Sequence, residues 1–461
     1  MALHTTLGLI LGSTYLMGKP DYSLDTLSLS GLSYNDSLST YIDANNLISF
    51  CPNNLLVHSN VLDSQRVKTI QGRYILTFYG SGTIALSGTV SNTLVGNTSG
   101  ARSTLVIYPT AGELTLTVTG DVYDAQLELV TYTTTPSTYK SSGSKPYYGP
   151  RIESGELLFE VGSDNLVTNC TNPVLANTLC TIGTIVDQYP DGSNQGPLWT
   201  RTSTSAAYST YSISKTTEED YYSFSMYIKK TTGRYVTLAL SSSAATLVQA
   251  TFDLDTATVI NITGGPTNIS GHLVSANIEQ AALGFFRVWV RAYSDTSTTL
   301  NSIFSFSSST TPYIDTILST GKYWGLQLEK LPVPTSIILN TGYRSSDIMY
   351  LNFLPENTKG TLVVAYKERY ASVVPIVAGL LDITTNTVVT TPTITTTVTF
   401  NGASVTETTG NVDFIVSAIN YYGDITPYNL GTPSLMPLSA ASYRVTQLEF
   451  YINAIDPASL V

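Results

Sequence analysis

One short phrase recurs at the ends of successive blocks of this chain: Ala125-Gln126-Leu127-Glu128, Gly325-Leu326-Gln327-Leu328-Glu329 and Val445-Thr446-Gln447-Leu448-Glu449. The repeat has the spacing of whole domains, not the few tens of residues of a solenoid, so the chain reads as a string of related domains. Between the phrases run short stretches rich in β-branched and aromatic residues. The runs 73–79, 83–87, 104–108 and 113–118 are separated by Gly80-Ser-Gly82 and Pro109-Thr-Ala-Gly112, which read as hairpin connections. No window of helical length carries a 3.6-residue apolar stripe. Only single helical turns are expected, at 218–220 and 456–459. The fold class is all-β: tandem antiparallel jelly-roll or β-sandwich domains.

The two larger blocks align beyond the phrase itself. Asn54-Leu-Leu-Val-His-Ser59 matches Asn165-Leu-Val-Thr-Asn169, and Tyr74-Ile-Leu-Thr-Phe-Tyr79 matches Tyr222-Ser-Phe-Ser-Met-Tyr227. Thr135-Pro-Ser-Thr-Tyr139 follows the first phrase, as Pro334-Thr-Ser-Ile337 follows the second. One module therefore occurs twice. The expected division is an N-terminal segment 1–22, a first module 23–150, a second module 151–340 and a smaller β-domain 341–461. Residues 131–146 form a Ser/Thr/Pro linker. The low-complexity run 387–400 is still strand-like in pattern.

Composition narrows the function classes. Charged residues make up 12% of the 461, so Ser, Thr, Asn and Tyr must supply the wet surface. Tyr outnumbers Phe by 31 to 13, which suits strands that are half buried and half wet. The net charge of −11, with no basic run, excludes a phosphate-backbone partner, so no nucleic acid is expected. Cys51, Cys170 and Cys180 lack metal-site spacing and read as free buried thiols, with a Cys170–Cys180 pair across a hairpin as the alternative; His4, His58 and His272 stand apart from one another. No run reaches the length of a membrane span. The apolar start Leu7-Gly-Leu-Ile-Leu11 lacks the flanks of a secretory signal.

The order of phrases resembles the carbohydrate-binding-module-like jelly rolls of bacteriophage tail and virion appendage proteins. The resemblance rests on Asn165-Leu166, on the strand from Tyr222 to Lys229, on Gly284-Phe-Phe-Arg-Val-Trp-Val290 and on Trp324-Gly-Leu-Gln-Leu-Glu329. Residues 38–48 resemble the lead-in that precedes such modules, and the C-terminal block resembles a concanavalin-like sandwich. The resemblance implies a non-enzymatic virion protein, a tail fibre or spike that contacts host-surface glycan. Residues 1–22 are then expected to dock onto other virion proteins, without membrane insertion, and the assembly to be a homo-oligomer, a trimer by analogy. A head fibre or capsid decoration protein is the alternative, and a glycan depolymerase a third.

Candidate chemistry is sparse. Trp289 and Trp324 sit inside module strands and read as core. Trp199, in Gly196-Pro-Leu-Trp-Thr-Arg201 beside a loop, is the candidate sugar platform. Tyr147-Tyr148 and Tyr421-Tyr422 suit either glycan stacking or subunit contact. Glycoside hydrolysis needs two opposed carboxylates. Glu218, Glu219 and Asp220 read instead as a solvated turn, and Glu128, Glu329 and Glu449 as structural parts of the closing strand. No catalytic residue is assigned. Asp191-Gly-Ser-Asn194 and Asp253-Leu-Asp255 offer oxygen ligands for calcium, or are plain turns; no other cofactor is expected.

Overall fold

The computed structural model describes residues 38–153, 158, 160, 162–264, 274–339 and 343–345 with their side chains, and elsewhere strand backbone alone. The chain is nearly all β, in multiple antiparallel sheets. The only helical turn among the described residues is the three-residue 3-10 turn Ala282–Gly284. The turn expected at 218–220 has no helical structure: Glu218 and Asp220 both pair with Lys330, which ties the segment down. The turn expected at 456–459 lies outside the described residues. No helix among the described residues is long and apolar enough to cross a membrane.

Two compact units divide the chain. One gathers 38–147 and 163–344, and the other gathers 1–37, 148–162 and 345–461.

The first unit holds two sandwiches. In the first, the central strand Arg73–Tyr79 lies between Ser103–Ile107 and Tyr123–Val130. A facing sheet runs Gln65–Thr69, Gly112–Thr119, Thr83–Gly88, Asn92–Val95. Alternate residues of each sheet meet in the core: Tyr74, Leu76, Phe78, Leu127 and Leu129 against Ile84, Leu86, Leu114 and Leu116, all at most 3% exposed. The two expected hairpins are not hairpins. Gly80-Ser-Gly82 and Pro109-Thr-Ala-Gly112 each carry the chain from one sheet to the other, as a sandwich crossing requires. Gly80 has φ +119°, and a Cβ there would collide with the Asp121 carbonyl, so only glycine makes that crossing.

The second sandwich has two six-stranded sheets. One centres on Tyr221–Lys230 between Phe286–Tyr293 and Thr320–Glu329; the other centres on Tyr235–Ser242 between Thr246–Asp253 and Thr299–Ser307. Phe224, Met226, Phe252, Phe304, Phe306 and Leu328 pack between the sheets with no exposed surface. Its ends are zipped together, Ser163 opposite Arg344 and Asp164 opposite Tyr343. The two sandwiches are tied by the Ile48 amide donating to the Pro190 carbonyl (2.7 Å) and the Thr40 hydroxyl to the Ile337 carbonyl (2.6 Å).

In the other unit one sheet runs Ile152–Glu153, Glu156–Glu160, Ser442–Tyr451, Thr361–Glu368, Ile415–Asn420, Thr426–Asn429. Within the stretch expected to open the second module, Ile152–Glu153 pair with Glu156–Leu157, and Leu157–Glu160 pair with the C-terminal closing strand. An Arg151–Glu160 ion pair (2.6 Å), each side chain 3% exposed, fixes this hairpin. Thr6–Leu9, inside the expected docking segment, lies parallel to Gln447–Phe450 of the same unit. The low-complexity run folds as the hairpin Ile383–Thr390 with Thr393–Phe400.

Candidate functional site

The recurrent phrase builds a buried polar staple with the same Asn, Gln Oε1 and Glu hydrogen bonds in both sandwiches, while the Gln Nε2 partners differ. In the first, Asn54 Nδ2 donates to the carbonyls of Ala125 (2.9 Å) and Lys140 (2.8 Å), and its Oδ1 accepts from the amides of Leu127 (3.1 Å) and Leu56 (3.2 Å). In the second, Asn165 Nδ2 donates to the carbonyls of Leu326 and Ile338 (both 3.2 Å), and its Oδ1 accepts from Leu328 (3.2 Å) and Val167 (3.0 Å). Gln126 Oε1 accepts from the Lys140 amide, and Gln327 Oε1 from the Ile338 amide, both at 2.7 Å. Glu128 accepts from the amide (2.9 Å) and hydroxyl (2.6 Å) of Ser137. Glu329 does the same with Thr335, at 2.9 and 2.6 Å.

The spacing explains the geometry. The closing strand alternates, so the leucines of Gln-Leu-Glu enter the core while Gln and Glu face outward. There the Ser/Thr-Pro segment that follows lies over them and supplies their partners. A one-residue register shift directly ahead of each Gln aims the pair: between Tyr123 and Gln126 against Arg73–Tyr79, and between Trp324 and Gln327 against Tyr221–Lys230. Gln447 follows the same kind of shift against Thr361–Glu368. Glu128 and Glu329 are thus spoken for structurally. Glu449 lies in a closing strand whose side chains are outside the described residues.

The other candidates fall as follows. Trp199 is fully buried, 5.7 Å from the Phe306 ring, with its indole N–H donated to the Ser209 hydroxyl (2.9 Å). It is a core residue and offers no face to a sugar, because Gln195–Arg201 is an interior strand between Cys180–Val186 and Thr320–Glu329. Trp289 and Trp324 are each 2% exposed, and the three cysteines are free and buried. Asp191 Oδ1 accepts from the Ser193 amide (3.0 Å), a plain turn. Asp253 takes both Arg234 Nε (2.9 Å) and Nη2 (2.6 Å), and Asp255 pairs with Lys230 (2.5 Å), so an internal cation occupies each carboxylate. No group of three or more His, Cys, Asp or Glu side chains among the described residues could hold a metal. Tyr148 is buried; Tyr421 and Tyr422 lie outside the described residues.

One corner of the first sandwich is open and aromatic, and no motif pointed to it. Arg73, Tyr108 and Tyr132 lie at the same end of three neighbouring strands. The guanidinium carbon of Arg73 is 5.3 Å from the Tyr108 ring centre and 4.7 Å from that of Tyr132. Arg73 also donates to the Tyr132 carbonyl, and the Tyr132 hydroxyl donates to Asn194 Oδ1 (3.2 Å). Tyr108 is 61% exposed and Tyr132 37%. No protein-family model and no curated protein matches the chain.

Proposed function

We propose that this chain is a non-enzymatic bacteriophage virion protein, an appendage such as a tail fibre or spike that contributes to contact with host-surface glycan. The observation that carries the reading is the staple repeated in consecutive sandwiches. It supports the resemblance in the Asn-Leu opening and the Gln-Leu-Glu closure, residue by residue, with hydrogen bonds at matching positions. Of the carboxylates that the sequence offered for hydrolysis, Glu128, Glu218, Asp220 and Glu329 are engaged in holding the fold, which favours binding over cleavage. Incubation with host polysaccharide should release no new reducing ends; their appearance would assign depolymerase activity. Purified protein should bind host cells and lose that binding after periodate treatment of the cell surface. Binding that survives periodate would move the contact from glycan to protein.

A further inference from the structure

The corner at Arg73 holds a cation with no acid beside it. Among the described residues Arg73 makes no ion pair, although the chain carries 33 Asp and Glu against 22 Lys and Arg. The equivalent corner of the second sandwich is built differently, with Tyr221 in the place of Arg73. There Tyr221 and Tyr293 face each other in register and meet edge-on at 5.0 Å, with the Arg291 guanidinium 5.5 Å from the Tyr221 ring. Lys330, at the end of that closing strand, is paired with Glu218 (2.9 Å) and Asp220 (3.2 Å). The lysine there has carboxylate partners, whereas Arg73 has two rings and a carbonyl beside it and no carboxylate partner among the described residues.

We propose that Arg73, Tyr108 and Tyr132 form a binding site for a carboxylate-bearing sugar, of the uronic or nonulosonic acid class, in an extracellular polysaccharide. The inference rests on the glycan-contact reading and names the place and the ligand class. A guanidinium presents five N–H donors in a planar fork that matches a carboxylate, and here one nitrogen serves the Tyr132 carbonyl. The two rings limit rotation of the fork, so less freedom is lost when a carboxylate arrives. Tyr108 adds an exposed ring and hydroxyl beside the charge, suited to the apolar face and rim of a pyranose. A single exposed charge pair is weak, so useful adhesion comes from many copies engaging one polymer. The competing role for the cluster is structural: Arg73 would simply pin the 131–135 segment, and Tyr132 the 189–194 turn.

The two roles separate on immobilised full-length protein probed with polygalacturonate, alginate and polysialate, each alongside its carboxyl-reduced form. Wild-type protein should retain at least one acidic polymer and bind its reduced form about tenfold less or weaker. Arg73→Ala should lose about tenfold, and Arg73→Lys, which keeps the charge but not the fork, should fall between. Tyr108→Ala should weaken binding with an unchanged melting temperature, because the side chain is largely in solvent. Equal retention of acidic and reduced polymers, or wild-type binding by Arg73→Ala, would overturn the site while leaving glycan contact standing. No retention of any acidic or neutral polymer would overturn both.

Discussion

Asn165 makes four hydrogen bonds with one amide group, two given and two received, all to backbone atoms of the closing strand, its own turn and the covering segment. Removing it leaves buried carbonyls and amides without partners, and each such group costs about 1–3 kcal/mol. Asn165→Ala should therefore destabilise the second sandwich by about 2–4 kcal/mol, lowering its melting temperature by roughly 5–15 °C. Asn54→Ala should do the same to the first. Calorimetry that finds either variant as stable as wild type would show that the staple is dispensable. Asp253 sets a pH dependence. The Arg234 guanidinium hydrogen-bonded to it, mainly, lowers its carboxyl from the ordinary 3.8 to about 2. A depressed carboxylate stabilises the fold above its unfolded-state range, and that contribution is lost as pH falls toward about 2. Between those limits wild-type stability should drop more steeply than that of Asp253→Asn; parallel curves would deny the pair any such role.

At the scale of elements, the closing strand is the piece on which each sandwich is built, and its bulge is the piece that aims the staple. Gly325 sits in that bulge at φ +62°, where a Cβ would fall on Ile337 Cδ1. Gly325→Ala combines left-handed strain with a clash against the covering segment and should cost about 1–3 kcal/mol. A melting temperature equal to wild type would contradict that. The first sandwich meets the same need with Asp124 at φ +47°, so the position demands the conformation and not one residue type. Strands, the module repeat and the buried thiols were legible in the sequence because each is written locally, in alternation, phrase order or spacing. The pairing of residues 157–160 with 442–445 was not, since no local pattern names a partner strand nearly three hundred residues away. Gly80-Ser-Gly82 misled for a related reason: a glycine turn signals reversal but not whether the next strand joins the same sheet. Trp199 misled because proximity to a loop in sequence says nothing about which face of the strand a residue takes. The Arg73 corner was invisible for the opposite reason. Its three side chains come from the ends of three separate strands, and none of the three carries a motif.

At the scale of the whole molecule, the double-sandwich unit is built from 38–147 and 163–344, while the other unit is assembled from 1–37, 148–162 and 345–461. Deleting residues 2–18 removes the strand paired with Gln447–Phe450. Unfolding of the double-sandwich unit should be unchanged by that deletion, while amide exchange should accelerate in 442–451. Unchanged exchange there would mean that the terminal strand contributes nothing to its own chain and would favour a docking role in a partner. Low charge and abundant Tyr, Thr and Ser fit wet subunit interfaces, so light scattering should give a closed oligomer, with a trimer expected; a monodisperse monomer at high concentration would count against it. The central claim is that this protein is an external appendage of a virion. Immunogold labelling of purified particles from a phage carrying this sequence tests it most directly. Gold on the tail or its fibres is the expected result; gold confined to the head would refute the tail assignment, and particles without label would contradict a place on the virion at all.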